Sequence, residues 1–218
     1  SPKPTLITAR LYQTEANALR SKFLDVVIKS ERDKLGTSIS NLLKNAKRIG
    51  FEQDNLTYNE FKFFETFLKN KLVPKSGLTE SLRVIKTPQE IEKIEKAQII
   101  SQKAFAKILN FIKVGQTESE INDKLTKILK SLGGQGLAFE TIIASGPNAT
   151  KPHHQTSNRK LKKADVLLLD FGTKYQNYLA DLSRTIFIGK PKDEQANVFL
   201  HVLNAQKKAI KNIQKGKK

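Results

Sequence analysis

The chain is 218 residues long and carries 39 Lys+Arg against 21 Asp+Glu, a formal net charge of +18. That length allows one large domain or two small ones with a real core, and the absence of Cys excludes a disulfide scaffold, a thiolate zinc site and a cysteine nucleophile. No apolar run approaches the ~20 residues of a membrane span and no signal-peptide core opens the sequence, so a soluble, cytoplasmic protein is expected.

The basic excess first points to nucleic acid. Only seven of the 39 basic residues are Arg, the side chain suited to bidentate phosphate and guanine contacts. The Lys residues are spread along the chain, with dense groups only at 159–163 and 215–218. Nucleic acid is therefore not the expected partner.

In chain order, 6–9 reads as a strand, 14–23 as a helix, 26–28 as a strand, 39–46 as a helix and 48–51 as a strand. A helix follows over 58–69, with Phe61, Phe64 and Leu68 at helical spacing. This alternation predicts a small α/β unit with mostly parallel strands. Its first strand starts almost at residue 1, which is unusual for a complete domain. Residues 72–78, with Pro74, Ser76 and Gly77, mark a boundary. The expected domains are 1–78 and 79–218.

Thr87-Pro88-Gln89-Glu90 combines a capping Thr, a Pro at the first helical position and a Glu three residues after the cap. The helix it opens should run to about Ile112, with Ile91, Ile94, Ala97, Ile100, Ala104 and Ile108 on one stripe. Thr117-Glu118-Ser119-Glu120 is a second capping box, and its helix carries Ile121, Leu125 and Ile128 on one face. Glycines at 133, 134 and 136 break the pattern, which then turns β. Strands are expected at 141–146, 165–172 and 178–188, and a last helix over about 192–213. The second region is thus α+β.

Asp170 stands near the end of an apolar strand, where an unpaired carboxylate would cost several kcal/mol. Asp181 follows on the next strand. A turn through residues 174–177 would pair the two strands and bring both carboxylates to one face. A divalent cation would remove their repulsion. The alternative is that Asp170 caps a strand end and Asp181 pairs with Arg184.

Longer strings add to this. Residues 82–91 (LRVIKTPQEI), 115–121 (GQTESEI), 143–149 (IASGPNA) with Pro152-His153, Asp170-Phe171-Gly172, and 178–185 (YLADLSRT) together resemble, in order and spacing, the catalytic domain of Xaa-Pro aminopeptidases and prolidases. The likeness covers 82–216 strongly. Residues 6–12 (LITARLY) are similar to a strand of the family's N-terminal domain. The resemblance implies an α+β chain: the first half of a pita-bread catalytic domain, preceded by part of a small α/β, creatinase-like N-terminal domain. It implies a dinuclear site for two divalent metal ions, Mn²⁺ foremost with Zn²⁺ or Co²⁺ as alternatives. The substrate would be a peptide with an Xaa-Pro N-terminus, and the full-length form a homo-oligomer. By motif, Asp170 would be a terminal metal ligand, Asp181 a bridging one, and His153 a hydrogen-bond partner of the substrate near the scissile amide. Arg184 would orient the Asp181 side. His154 reads as a loop side chain and His201 as a helix residue with no ligand role.

The family needs two Asp, one His and two Glu. After Asp181 this chain has only His201, Asp193 and Glu194, none in a ligand-like motif. The resemblance therefore predicts a portion of such an enzyme, inactive by itself, exposing the apolar face that a second half would cover. Competing readings are a prolidase-type dipeptidase, a metal-free pita-bread module that binds peptide or protein, and a methionine aminopeptidase, which would not need the region before Pro74.

Overall fold

The computed structural model describes residues 3–30, 35–69 and 71–217. The chain divides into two compact units, Ser1–Ile85 and Lys86–Lys218. Helix α4 (Leu78–Val84) thus counts with the first unit, beyond the composition shift at 72–78.

The first unit alternates strand and helix as its sequence predicts. Strand β1 (Thr5–Ala9) pairs in parallel with β2 (Asp25–Lys29), the two joined through helix α1 (Gln13–Leu19). Helix α2 (Leu35–Leu42) leads to β3 (Ile49–Glu52), and helix α3 (Tyr58–Leu68) to β4 (Leu72–Lys75), which pairs in parallel with β3. Residues 72–75, read from sequence as linker, are therefore a strand. Pro74 cannot donate to a ladder, which is tolerated because this sheet has only two strands. Helix α3 starts at a capping box, Thr57 with Glu60, and Phe61 stacks against Phe51 with ring centroids 5.3 Å apart.

The second unit begins with helix α5 (Pro88–Leu109) and helix α6 (Glu118–Ser131). Both capping boxes form. The Thr87 amide donates to Glu90 at 2.7 Å and the Thr117 amide to Glu120 at 2.7 Å, while the Thr hydroxyls accept from the Glu90 and Glu120 amides. Strand β5 (Ile142–Ser145), strand β6 (Val166–Phe171) and strand β9 (Leu182–Phe187) form an antiparallel sheet in the order β5-β6-β9. A short hairpin, β7 (Lys174–Tyr175) with β8 (Tyr178–Leu179), lies between β6 and β9 in sequence. Helix α7 (Asp193–Asn212) follows.

The core lies between α5, α6 and one face of the sheet. Ile100, Ala104 and Ile108 meet Ile121, Leu125 and Leu129, and both sets pack on Ile143, Leu167, Leu169, Phe171 and Leu182. The stripes are those of a 3.6-residue period on the helices and a period of two on β6. On the other face, Val166, Leu168, Thr185 and Phe187 border a groove of about 410 Å³ with Val198, Phe199 and Val202 of α7. No residue of α7 is buried. Among the described residues, no helix is long and apolar enough to cross a membrane.

Phe171 is fully buried next to Asp170. Phe171→Ala should cost about 3–5 kcal/mol, measured as a fall in the urea midpoint with unchanged slope.

Candidate active site

The sequence reads 178–188 as one long strand interrupted by Asp181 and Arg184. It is two, and the reason is local. One antiparallel register runs through the whole arm, from Val166↔Phe187 and Asp170↔Ser183 to Phe171↔Leu182, and resumes at Lys174↔Leu179 and Tyr175↔Tyr178. Between them Ala180 and Asp181 leave the ladder, although the Ala180 amide still donates to the Thr173 carbonyl at 3.0 Å. A Cβ on Gly172 would overlap the carbonyl oxygen of Ala180. Glycine is what lets the two backbones come this close. The turn that closes the arm places Gln176 and Asn177 at φ of 47° and 67°, the left-handed pair of a tight hairpin.

Carried through the break, this register sets Asp181 opposite Gly172. An unbroken ladder would make Asp181 a diagonal neighbour of Asp170 on the face that Asp170 shares with Ser183. It is the face opposite buried Leu169, Phe171 and Leu182. Asp170 is half-buried and accepts a hydrogen bond of 2.8 Å from the Ser183 hydroxyl, whereas Asp181 is exposed. Arg184 falls on the other face. Its guanidinium lies 5.8 Å from the ring centroid of Phe105 and donates to the Ser183 carbonyl. Among the described residues no ion pair joins Arg184 to Asp181, so the alternative of a simple strand-face pair is not formed.

Two carboxylates so placed would offer hard oxygen donors to a divalent ion. Among the described residues no group of three or more His, Cys, Asp or Glu could hold a metal.

His153 sits in the long segment between β5 and β6, and its side chain is exposed. This segment first turns through a 3-10 helix at Gly146–Thr150, then runs back along β5. The Thr156 hydroxyl donates to the Thr141 carbonyl and accepts from the Ile143 amide, both at 3.0 Å. Ile142 is the residue paired with Asp170. Thr156 therefore returns the loop to the end of the sheet where Asp170 stands, with His153 three positions before it. His201 is exposed on α7 and remote from this loop in sequence.

His154, taken from sequence as a loop side chain, is buried, with Nε2 2.8 Å from Oε2 of Glu118. Glu118 is itself fully buried at the first position of α6. Its Oε1 accepts from the Ser145 amide (2.8 Å), the Ser145 hydroxyl (2.7 Å) and the Asn148 side-chain amide (3.1 Å). Its Oε2 accepts from His154, the Ser157 amide (3.1 Å) and the Ser157 hydroxyl (2.7 Å). Because an ionised carboxylate only accepts, Nε2 of His154 carries the hydrogen. The Ser145 hydroxyl, spent as a donor to Glu118, accepts from Arg159, which grips Asp165 at 2.7 and 3.1 Å. That pairing raises the Arg159 pKa. Burial works against the charge on Asp165, but Arg159 and the Lys162 amide outweigh it and lower its pKa.

The sequence pattern gives Glu118 no role: the capping box needs only Glu120, and the surplus acid in Thr-Glu-Ser-Glu is the one signal that marks it.

Burial likewise disfavours the Glu118 charge, yet the bonds from Ser157, His154, Ser145 and Asn148 prevail and hold its pKa at about 2, against an ordinary 4.5. The folded value is the lower one, so this carboxylate stabilises the fold fully above pH 4.5 and ceases to do so as pH falls through 2. Acid unfolding of the chain should steepen across that window, and Glu118→Gln should flatten it, as read by stability measurements from pH 5 to 2. Gly172→Ala should cost about 1–3 kcal/mol by forcing the strands apart, measured by chemical denaturation.

Residues 92–218 match metallopeptidase family M24, and residues 1–85 match the creatinase/prolidase N-terminal domain. The chain is 35% identical over 179 residues to the Xaa-Pro dipeptidase of Pyrococcus furiosus, covering 82% of this chain and 51% of that protein. It is 34% identical over 171 residues to the peptidase YqhT of Bacillus subtilis, covering 78% and 48%. Among solved structures, an Xaa-Pro dipeptidase from Bacillus anthracis superposes with a TM-score of 0.85 at 32% identity, over 92% of this chain and 56% of that one. An X-Pro aminopeptidase from Thermotoga maritima does so with a TM-score of 0.83 at 30% identity, over 97% and 60%. The chain spans about half the length of the curated relatives it matches.

Proposed function

We propose, from the premise that this chain belongs to metallopeptidase family M24 and carries its creatinase/prolidase N-terminal domain, that the whole protein is an exopeptidase releasing the N-terminal residue in front of proline. What supports this reading is that Asp170 stands at the end of the sheet to which the His153 loop returns, and that the register carried past Phe171↔Leu182 would set Asp181 diagonal to it. In this reading both aspartates hold divalent metal, Mn²⁺ foremost, and His153 hydrogen-bonds the peptide beside the scissile amide. A pair of such ions lowers the pKa of a bound water and polarises the carbonyl it attacks.

The chain's own residues have simpler tasks. Ser183 orients Asp170 through its hydroxyl, leaving the other carboxylate oxygen for metal. Gly172 keeps the strands close enough for the two carboxylates to act together. The exposed His153 ring is accessible to a peptide.

Relatives at this level of identity include proteins named Xaa-Pro dipeptidase, so a dipeptidase is the second reading. Assaying the whole protein on Xaa-Pro dipeptides and on longer Xaa-Pro peptides separates the two: cleavage of the longer peptides supports the aminopeptidase.

Asp181→Asn should abolish Xaa-Pro hydrolysis in the whole protein and remove metal uptake seen by calorimetry. Unchanged metal stoichiometry and turnover in that variant would overturn the assignment. The 218-residue chain by itself, with only the two aspartates, should bind Mn²⁺ weakly and release no product from an Xaa-Pro peptide. Turnover proportional to its concentration would refute that expectation.

A further inference from the structure

We propose that Glu118 is the positioning residue for His153, stapling both flanks of the loop that carries it. This deepens the peptidase reading and rests on it for the meaning of His153.

The two carboxylate oxygens divide their work. Oε1 takes Ser145 and Asn148, upstream of His153, and Oε2 takes His154 and Ser157, downstream of it. One side chain thus closes a loop of about a dozen residues across its base. His153 has an exposed ring, but its neighbour His154 is locked by the 2.8 Å contact to Oε2, which fixes the backbone from which the His153 ring projects.

An apolar core residue could fill this volume but could not accept six hydrogen bonds. Two of the donors are backbone amides, of Ser145 and Ser157, which would otherwise be left without these acceptors on burial. A neutral amide is no substitute. Glutamine in place of Glu118 keeps one acceptor oxygen and turns an NH₂ toward a set of donors. Either flank, but not both, would stay anchored. The start of α6 suits the charge, because the first turn of a helix favours an anion. That helix is tied to the same loop by its backbone, with the Glu118 amide donating to Arg159 and the Ser119 amide to Ser157. The staple is therefore seated on a rigid element packed into the core through Ile121, Leu125 and Leu129.

The test has two arms. In the 218-residue chain, Glu118→Gln should raise hydrogen exchange at whichever of the Ser145 and Ser157 amides faces the new NH₂, and through the adjoining part of 146–158, by about tenfold or more, with the α5 and α6 core amides unchanged. Unchanged exchange in the loop would overturn the staple. In the polypeptide carrying both halves of the catalytic domain, Glu118→Gln should lower kcat on an Xaa-Pro peptide by about tenfold with Mn²⁺ affinity intact, and should cost less than about twofold in a His153→Ala background. An equal cost in both backgrounds would show that Glu118 does not act through His153. A wild-type protein without Xaa-Pro turnover would refute the peptidase reading and with it the catalytic meaning, leaving the exchange arm to decide the staple alone. Should Glu118→Gln fail to fold, Asn148→Ala and Ser157→Ala each remove one donor from one flank and are read, with smaller expected changes, by the same two measurements.

Discussion

A single antiparallel register, running from Val166↔Phe187 to the Tyr175↔Tyr178 hairpin, decides what the second unit's sheet presents to each side. It sends Leu167, Leu169, Phe171 and Leu182 into the core. It leaves Asp170 and Ser183 on the other face. A slip of one residue would exchange the two sets. Each large apolar side chain would lose roughly 1.5–3 kcal/mol of burial, and a carboxylate would be driven among apolar neighbours without a partner. Gly172 defends the register at its weakest point, where the ladder breaks and only a residue without Cβ can pass the Ala180 carbonyl.

The long connection from β5 to β6 has no such ladder along most of its length. A connection of that kind stays ordered only if its polar groups find fixed partners. Here they converge on one carboxylate buried at the head of α6, with Arg159 and Asp165 as a second tie and Thr156 as a third. Burial makes these bonds stronger and their loss more costly, since water is not there to replace them. The open side of the sheet is built differently. Val166, Leu168 and Phe187 border a groove with α7, whose residues are at most half-buried.

Most of the elements could be read in advance because their signals are local. Thr87-Pro88-Gln89-Glu90 and Thr117-Glu118-Ser119-Glu120 place helix starts to the residue, and the apolar stripes of α5 and α6 form the core face except at the start of α5, where Ile91 is exposed. Residues 72–75 were misread because Pro74 and the following Ser-Gly resemble a linker, while the pairing that makes them a strand comes from β3, more than twenty residues upstream. Tyr178 to Ile188 reads as one strand interrupted at Asp181 and Arg184, and the chain does leave the ladder at Ala180 and Asp181, though nothing at Ala180 itself announces the break. Its cause is Gly172 on the facing strand. The turn that separates the two aspartates was legible from the residues at 174–177. Glu118 and His154 were not, because their partnership joins residues 36 apart.

By itself, then, the sequence determined the alternation of strands and helices, the capped starts of α5 and α6, the family resemblance and the candidacy of His153, Asp170 and Asp181, all of which rest on neighbours within a few turns or on contiguous strings. Only the tertiary structure decided which face Asp170 occupies, that Arg184 turns toward Phe105, and that the His153 loop is held by a buried Glu118. Those outcomes depend on register, on close backbone approach and on the need to satisfy a charge removed from water, and each of these is a relation between distant parts of the chain.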